Sequence, residues 1–143
     1  MFIADIVKKV SSDPAKDLLK LFKQLVFNVL IGDTDDHLKN FSMLSDGASW
    51  RLSPACDLVA NIGRNKELVL SVDNSCLVPG KDALVQEAKY FGIKQRQKVN
   101  ALIDSVVSGV QGWEQVFQKF GVPCDDKEVI GRDIQQRLSL VSG

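Results

Sequence analysis

Apolar residues recur at helical spacing along most of the chain, and residues 14–31 give the clearest case. In that stretch apolar side chains repeat every three or four positions while lysines fall on the opposite side. Asp13 is a suitable N-cap, Pro14 suits the first helical position, and Gly32 suits the position after the last turn. We therefore predict a long, largely buried helix. Its apolar stripe consists of Leu18, Leu19, Phe22, Leu25, Val26, Val29 and Leu30.

Weaker patterns predict the other elements. Residues 1–10 suggest a short helix, and further helices are predicted over 81–91, 94–110, 113–120 and from 125 to about 140. The last three carry apolar stripes that we assign to the core: Val99, Leu102, Ile103, Val106 and Val110; Trp113, Val116, Phe117 and Phe120; Val129, Ile130, Ile134 and Leu138. Residues 68–72 form a strand candidate, followed by a turn at 73–75.

A β-hairpin is predicted between the long helix and the next polar segment. Residues 41–44 and 49–52 are its arms, and Asp46-Gly47 is its turn. The predicted fold is therefore mainly α (α+β), a helical bundle with one or two small β-hairpins beside a polar loop. No internal repeat or low-complexity segment is present.

The polar loop carries the candidate chemistry. It reads Gly-Asp-Thr-Asp-Asp-His-Leu-Lys-Asn over residues 32–40. Phosphoryl transfer in protein kinases uses a loop Asp as base and an Asn five residues later as a Mg²⁺ ligand. Asp35 and Asn40 have that spacing, whereas Asp33 and Asp36, the competing candidates for the base, do not. A metal-binding Asp should follow after the length of a hairpin, which is where Asp57 lies.

Each of these residues also has a purely structural interpretation. An acidic loop after a helix is commonly just solvated. Asp57, three residues after Pro54, can be an N-cap or turn residue. His37 can equally brace the loop. It is the only histidine of the chain, so no histidine-rich zinc site can be assembled. It is the combined spacing of Asp35, Asn40 and Asp57 that favours catalysis.

Two longer stretches resemble a known family. Residues 27–42 read Phe-Asn-Val-Leu-Ile-Gly-Asp-Thr-Asp-Asp-His-Leu-Lys-Asn-Phe-Ser, and residues 50–59 read Trp-Arg-Leu-Ser-Pro-Ala-Cys-Asp-Leu-Val. Together they resemble the C-terminal domain of the HipA-like serine/threonine kinases, toxins of bacterial toxin–antitoxin modules. The resemblance implies a kinase-like C-terminal lobe that uses ATP and Mg²⁺ and phosphorylates a protein.

The resemblance also implies individual roles. Asp35 would be the catalytic base, and Asn40 and Asp57 the Mg²⁺ ligands. His37 stands two residues after the base, where many other kinases have a lysine that contacts phosphate, so it is a catalytic and nucleotide-binding candidate. Lys39 belongs with the nucleotide-binding candidates. Two residues depart from the family pattern: Asp33 replaces the usual Asn, and Cys56 the usual aromatic ring.

Composition restricts the other classes of function. The 143 residues carry 18 basic and 18 acidic side chains, so no excess of positive charge favours direct binding of nucleic acid. No apolar run is long enough for a membrane span, and the N-terminus does not read as a signal peptide. The three cysteines form no C-x-x-C pair, and we interpret them as reduced thiols of a cytoplasmic protein.

The phosphate-covering half of a kinase is not recognisable. The glycines form no G-x-G, and no strand-borne lysine precedes the loop, so we expect a single domain that lacks the N-terminal lobe. Two hypotheses follow. The chain is the catalytic lobe of a kinase, either completed by a partner chain or excised from a longer one. Alternatively, it is an inactive lobe that binds a partner such as a cognate antitoxin.

Overall fold

The computed structural model describes residues 2–33, 40–61 and 78–143 of the chain. Six helices and two strands occur in this part. In chain order they are α1 (Phe2–Val10), α2 (Pro14–Ile31), β1 (Met43–Ser45), β2 (Trp50–Leu52), α3 (Lys81–Glu87), α4 (Arg96–Gln111), α5 (Trp113–Lys119) and α6 (Cys124–Ser142). The predicted mainly helical fold with a small hairpin is confirmed. The strand and turn predicted at 68–75 lie outside the described residues.

Helix α2 is the centre of the fold, and its ends are those that the sequence predicts. The Asp13 side chain accepts a hydrogen bond from the Lys16 N–H at 3.2 Å, and Pro14 occupies the first turn. Gly32 ends the helix in the left-handed conformation, with φ 74°. The helix packs against α1, α4 and α6. Each large apolar side chain that it buries contributes roughly 1.5–3 kcal/mol, so α2 is a rigid base for the loop that follows it.

The hairpin has shorter arms than predicted. Strands β1 and β2 pair antiparallel, with Met43 opposite Leu52 and Ser45 opposite Trp50. The turn is stabilised by the Asp46 carboxylate, which accepts hydrogen bonds from the N–H groups of Ala48 and Ser49 at 3.0 and 2.7 Å. These two bonds lower the pKa of Asp46.

Some inward-facing assignments in the C-terminal half are wrong. Val116 and Phe120 of the α5 region are 51% and 73% exposed, and Val129 of α6 is 50% exposed. Helix α5 has only two turns, and among the described elements its main contacts are with α4 and α6, which leave one edge of its apolar stripe exposed. Its Trp113 and Phe117 rings, 5.2 Å apart, make the contact with the core.

The helix predicted over 81–91 is also shorter than expected. Helix α3 ends at Glu87, and turns follow as far as Gly92, whose φ is 75°. Among the described helices, none is both long and apolar enough to cross a bilayer.

Candidate functional site

The polar loop leaves α2 at a tightly constrained point. The N–H groups of Gly32 and Asp33 both donate to the Asn28 carbonyl oxygen, the latter at 2.9 Å. A Cβ atom at position 32 would lie 2.8 Å from the Asp133 carboxylate and 3.0 Å from Arg137 Nε. Both the left-handed backbone and this close approach of α6 therefore require glycine here.

Arg137, on α6, contacts the same C-terminal end of α2. It is 2% exposed, donates from Nη1 to the Val29 carbonyl oxygen at 3.2 Å, and pairs through Nε with Asp133 at 2.6 Å. A cation suits the negative end of a helix dipole. The sequence analysis missed this residue, although an arginine beside Ile134 and Leu138 in an apolar stripe was a usable signal.

Asp33 is a buried bracing residue in the structure. It is 1% exposed, and its Oδ2 accepts a hydrogen bond from the Val59 N–H at 3.4 Å. The Asn61 N–H donates to the Gly32 carbonyl oxygen at 3.1 Å. The segment that carries Asp57 is thus tied to the end of α2. This geometry fits the departure from Asn to Asp at position 33, because both side chains offer an acceptor oxygen.

Asn40, at the other end of the loop, is also next to the Asp57 segment. It is 7% exposed, and its backbone carbonyl oxygen accepts a hydrogen bond from the Cys56 thiol at 3.4 Å. Cys56 itself is exposed. The structure therefore brings together two of the predicted regions, Asn40 and the residue immediately before Asp57, which are separated by the hairpin in sequence.

Asp57 has an unusual backbone. It is exposed, and it is the only non-glycine residue with positive φ in the described part of the chain, at 54°. A left-handed residue with a side chain typically costs about 1–3 kcal/mol, and such positions cluster at functional sites. Aspartate tolerates this conformation better than most residues do.

Three predicted site residues, Asp35, His37 and Lys39, lie outside the described residues, as does the competing Asp36. Their roles stay predictions. The described part of the chain has no group of three or more His, Cys, Asp or Glu side chains that could hold a metal by themselves. Asn40 and Asp57 offer an amide oxygen and a carboxylate, which are hard oxygen ligands of the kind that Mg²⁺ binds. In this respect the residues present fit the predicted metal.

An ion pair between a buried carboxylate and a half-buried arginine fixes the hairpin that joins Asn40 to the Asp57 segment. The fully buried Asp17 carboxylate accepts from Arg51 Nε and Nη2 at 3.1 and 2.8 Å, from Ser11 Oγ at 2.7 Å and from the Leu52 N–H at 2.9 Å. The Arg51 hydrogen bonds, helped by those from Leu52 and Ser11, hold the pKa of Asp17 well below its usual range against the opposing effect of burial. The sequence analysis missed this contact.

Comparison with known proteins identifies the family. Residues 2–113 match the family described as the HipA-like C-terminal domain. A curated relative from Sinorhizobium fredii, named "Putative kinase Y4mE", is 27% identical over 114 residues, covering 74% of this chain. The match covers only 27% of that relative's length. Because the family match includes the long helix, the polar loop and the hairpin, this chain belongs to the HipA-like C-terminal domain family.

Proposed function

We propose that this chain is the catalytic lobe of a HipA-like serine/threonine protein kinase. In this proposal Asp35 is the base that orients and deprotonates the acceptor hydroxyl, and Asn40 and Asp57 bind the Mg²⁺ that accompanies ATP. His37 and Lys39 contact the nucleotide phosphates. Bound Mg²⁺ would neutralise charge on the phosphates during transfer.

One observation supports the proposal most strongly: an exposed, left-handed Asp57 lies directly after Cys56, which contacts the Asn40 backbone. If Asp57 only capped a turn, its segment would not need to lie beside Asn40, which is on the other side of the hairpin in sequence. In a kinase, by contrast, the loop Asn and the downstream Asp together hold the Mg²⁺ ions of one nucleotide, so the two residues must lie close together.

The surrounding contacts support a positioning function for the scaffold. Both ends of residues 33–40 are tied to described structure, at Gly32 by α6 and at Asn40 by the Asp57 segment. Catalytic groups lose much of their effect when they are displaced by about 1 Å, so a loop fixed at both ends suits this chemistry. The same proposal includes a second lobe that covers ATP. It also includes the role of a toxin that a cognate antitoxin controls.

Calorimetric titration of Mg²⁺–ATP into the purified chain tests the metal site. We expect binding by the unmodified chain and a loss in the Asp57→Asn variant. Outer-shell partners of a metal typically contribute about 10–100-fold to affinity, so removal of a direct ligand should weaken binding at least that much. Asp126→Asn is the matched control, since Asp126 is an exposed aspartate in the first turn of α6.

The Asp35→Asn variant separates the base from the metal ligands. This variant should bind Mg²⁺–ATP nearly as well as the unmodified chain. An assembly of the variant with the phosphate-covering lobe should show no phosphoryl transfer. Equal loss of nucleotide binding in the variants at 35 and 57 would contradict this division of roles. A folded chain that never binds nucleotide would favour the alternative function, an inactive lobe that binds a partner protein.

A further inference from the structure

A cleft borders the segment that carries Asp57. It has a volume of about 560 Å³, within the roughly 300–1,000 Å³ of typical ligand pockets. Its apolar surface includes Phe27 of α2 and Val106 of α4, and one wall is formed by Pro54 and Leu58. We call it the α2 cleft. It is large enough for a few side chains of an extended peptide.

The rim of the α2 cleft is basic. Lys20 and Lys23 lie on the exposed side of α2, and neither has a carboxylate within ion-pair distance among the described residues. Residues three apart on a helix have Cβ atoms about 5–6 Å apart. Alternate residues of an extended peptide are separated by roughly 6.5–7 Å. Two acidic residues flanking a single residue can therefore face the two lysines together.

We propose that the α2 cleft is the docking site for the protein substrate, and that it takes a segment with one large apolar side chain beside two acidic residues. The apolar side chain occupies the floor at Phe27 and Val106, and the acidic pair meets Lys20 and Lys23. The inference rests on the proposed function, because the position of the cleft beside Asp57 is what connects docking to phosphoryl transfer.

A second cleft of similar volume, also lined by apolar side chains and two lysines, provides an internal comparison. It has a volume of about 540 Å³, is lined by Leu18, Leu19 and Phe91, and carries Lys94 and Lys98. No residue of the 53–61 segment lines it. If two lysines over an apolar floor were enough, both clefts would bind the same peptide. The proposal requires binding at the α2 cleft alone.

Fluorescence anisotropy with the purified 143-residue chain tests this. The probe is a short labelled peptide that contains a serine, one phenylalanine and two glutamates separated by one residue; its control has glutamines in place of the glutamates. Charge reversal at Lys20 and Lys23, as K20E/K23E, should weaken binding by about tenfold, since two weak exposed ion pairs are lost and replaced by repulsion between like charges. The K94E/K98E variant has the same change in charge and should bind like the unmodified chain.

The apolar contact needs its own variant. Phe27→Ala could unfold the chain, so Leu58→Ser is preferable, since Leu58 is 37% exposed. It should weaken binding of the glutamate peptide and, unlike the lysine variants, do so equally at low and physiological ionic strength.

Three results would overturn the proposal: equal weakening by both lysine pairs, no preference for the glutamate peptide over the glutamine peptide, or preferential binding of a single-stranded oligonucleotide. Circular dichroism of every variant excludes unfolding as the cause. The peptide assay contains no nucleotide, and the Mg²⁺–ATP titration contains no peptide, so a failure of the docking proposal can be distinguished from a failure of the proposed function.

Discussion

Removing the Asp17 carboxylate should destabilise the domain more than any change to a surface charge. Asp17 is fully buried and accepts four hydrogen bonds, two of them from Arg51. In an Asp17→Ala variant, the buried Leu52 N–H and the Ser11 hydroxyl both lose their acceptor. Each unsatisfied buried donor costs about 1–3 kcal/mol. The Arg51 side chain is 34% exposed and can regain part of its hydration.

The expected cost for Asp17→Ala is therefore about 2–6 kcal/mol, since two buried donors lose their acceptor. Asp17→Asn keeps one acceptor oxygen and should cost less. Since a domain of this kind has a stability of about 5–15 kcal/mol, the Ala variant could lose a large part of it. Arg51→Met leaves the carboxylate buried without its cation. Because the two residues interact directly, the double variant Asp17→Asn/Arg51→Met should cost less than the sum of the two single changes.

The effect should also depend on pH. Arg51 lowers the pKa of Asp17 in the folded state. The stabilisation is then fully present above the unfolded-state pKa, about 3.9, and is lost as the pH falls through that value toward the folded-state pKa. Urea unfolding of the unmodified chain and of Asp17→Asn at several pH values should show a constant difference in unfolding free energy above about pH 5 and a shrinking one below about pH 4.

Asp5→Asn is the control for this series, because Asp5 forms an exposed pair with Lys8 at 3.2 Å. Such pairs contribute about 0.2–1 kcal/mol, so the variant should be close to the unmodified chain at every pH. An Asp17→Ala cost below about 1 kcal/mol, or a difference between unmodified chain and Asp17→Asn that stays constant down to pH 3, would refute the assigned role of this carboxylate.

Three further predictions, two on α6 and one on α4, are measured by the same urea unfolding. Arg137→Met should lower the free energy of unfolding by about 1–3 kcal/mol because the Val29 carbonyl oxygen loses its donor. Arg137→Lys should recover part of that loss. An unchanged urea midpoint for Arg137→Met would show that the contact contributes nothing. Gly131→Ala should cost about 1–3 kcal/mol because the added methyl group overlaps the Trp113 ring. Gly109→Ala, which meets nothing within 4 Å, should instead stabilise by about 0.5–1 kcal/mol.

The sequence predicted the elements that local physical chemistry determines. The ends of α2 could be predicted because Asp13, Pro14 and Gly32 act on the backbone within a few residues of themselves. The Asp46-Gly47 turn could be predicted for the same reason. Apolar periodicity identified the faces of the later helices, but not whether another element covers each face. For this reason Val116 and Val129 were wrongly assigned to the core.

The contacts around the candidate site could not be predicted in the same way, because their partners are distant in sequence. Asp17 and Arg51 are 34 residues apart, and Arg137 and Val29 are 108 residues apart. A polar residue within an apolar stripe shows that a partner is needed, but it does not say which residue supplies it. The spacing of Asp35, Asn40 and Asp57, in contrast, is visible directly in the sequence. The structure adds the contact between Cys56 and Asn40.

These distant contacts connect the last helix to the candidate site. The family match ends at residue 113, whereas Arg137 and Asp133, which close over Gly32, lie on α6. The point at which the loop leaves α2 is therefore fixed by residues outside the matched range. A change in the packing of α6 would move Gly32 and Asp33, and through Val59 it would reach the segment that carries Asp57. The start of the loop, at Gly32 and Asp33, thus depends on the packing of a helix that is distant from the motif in sequence.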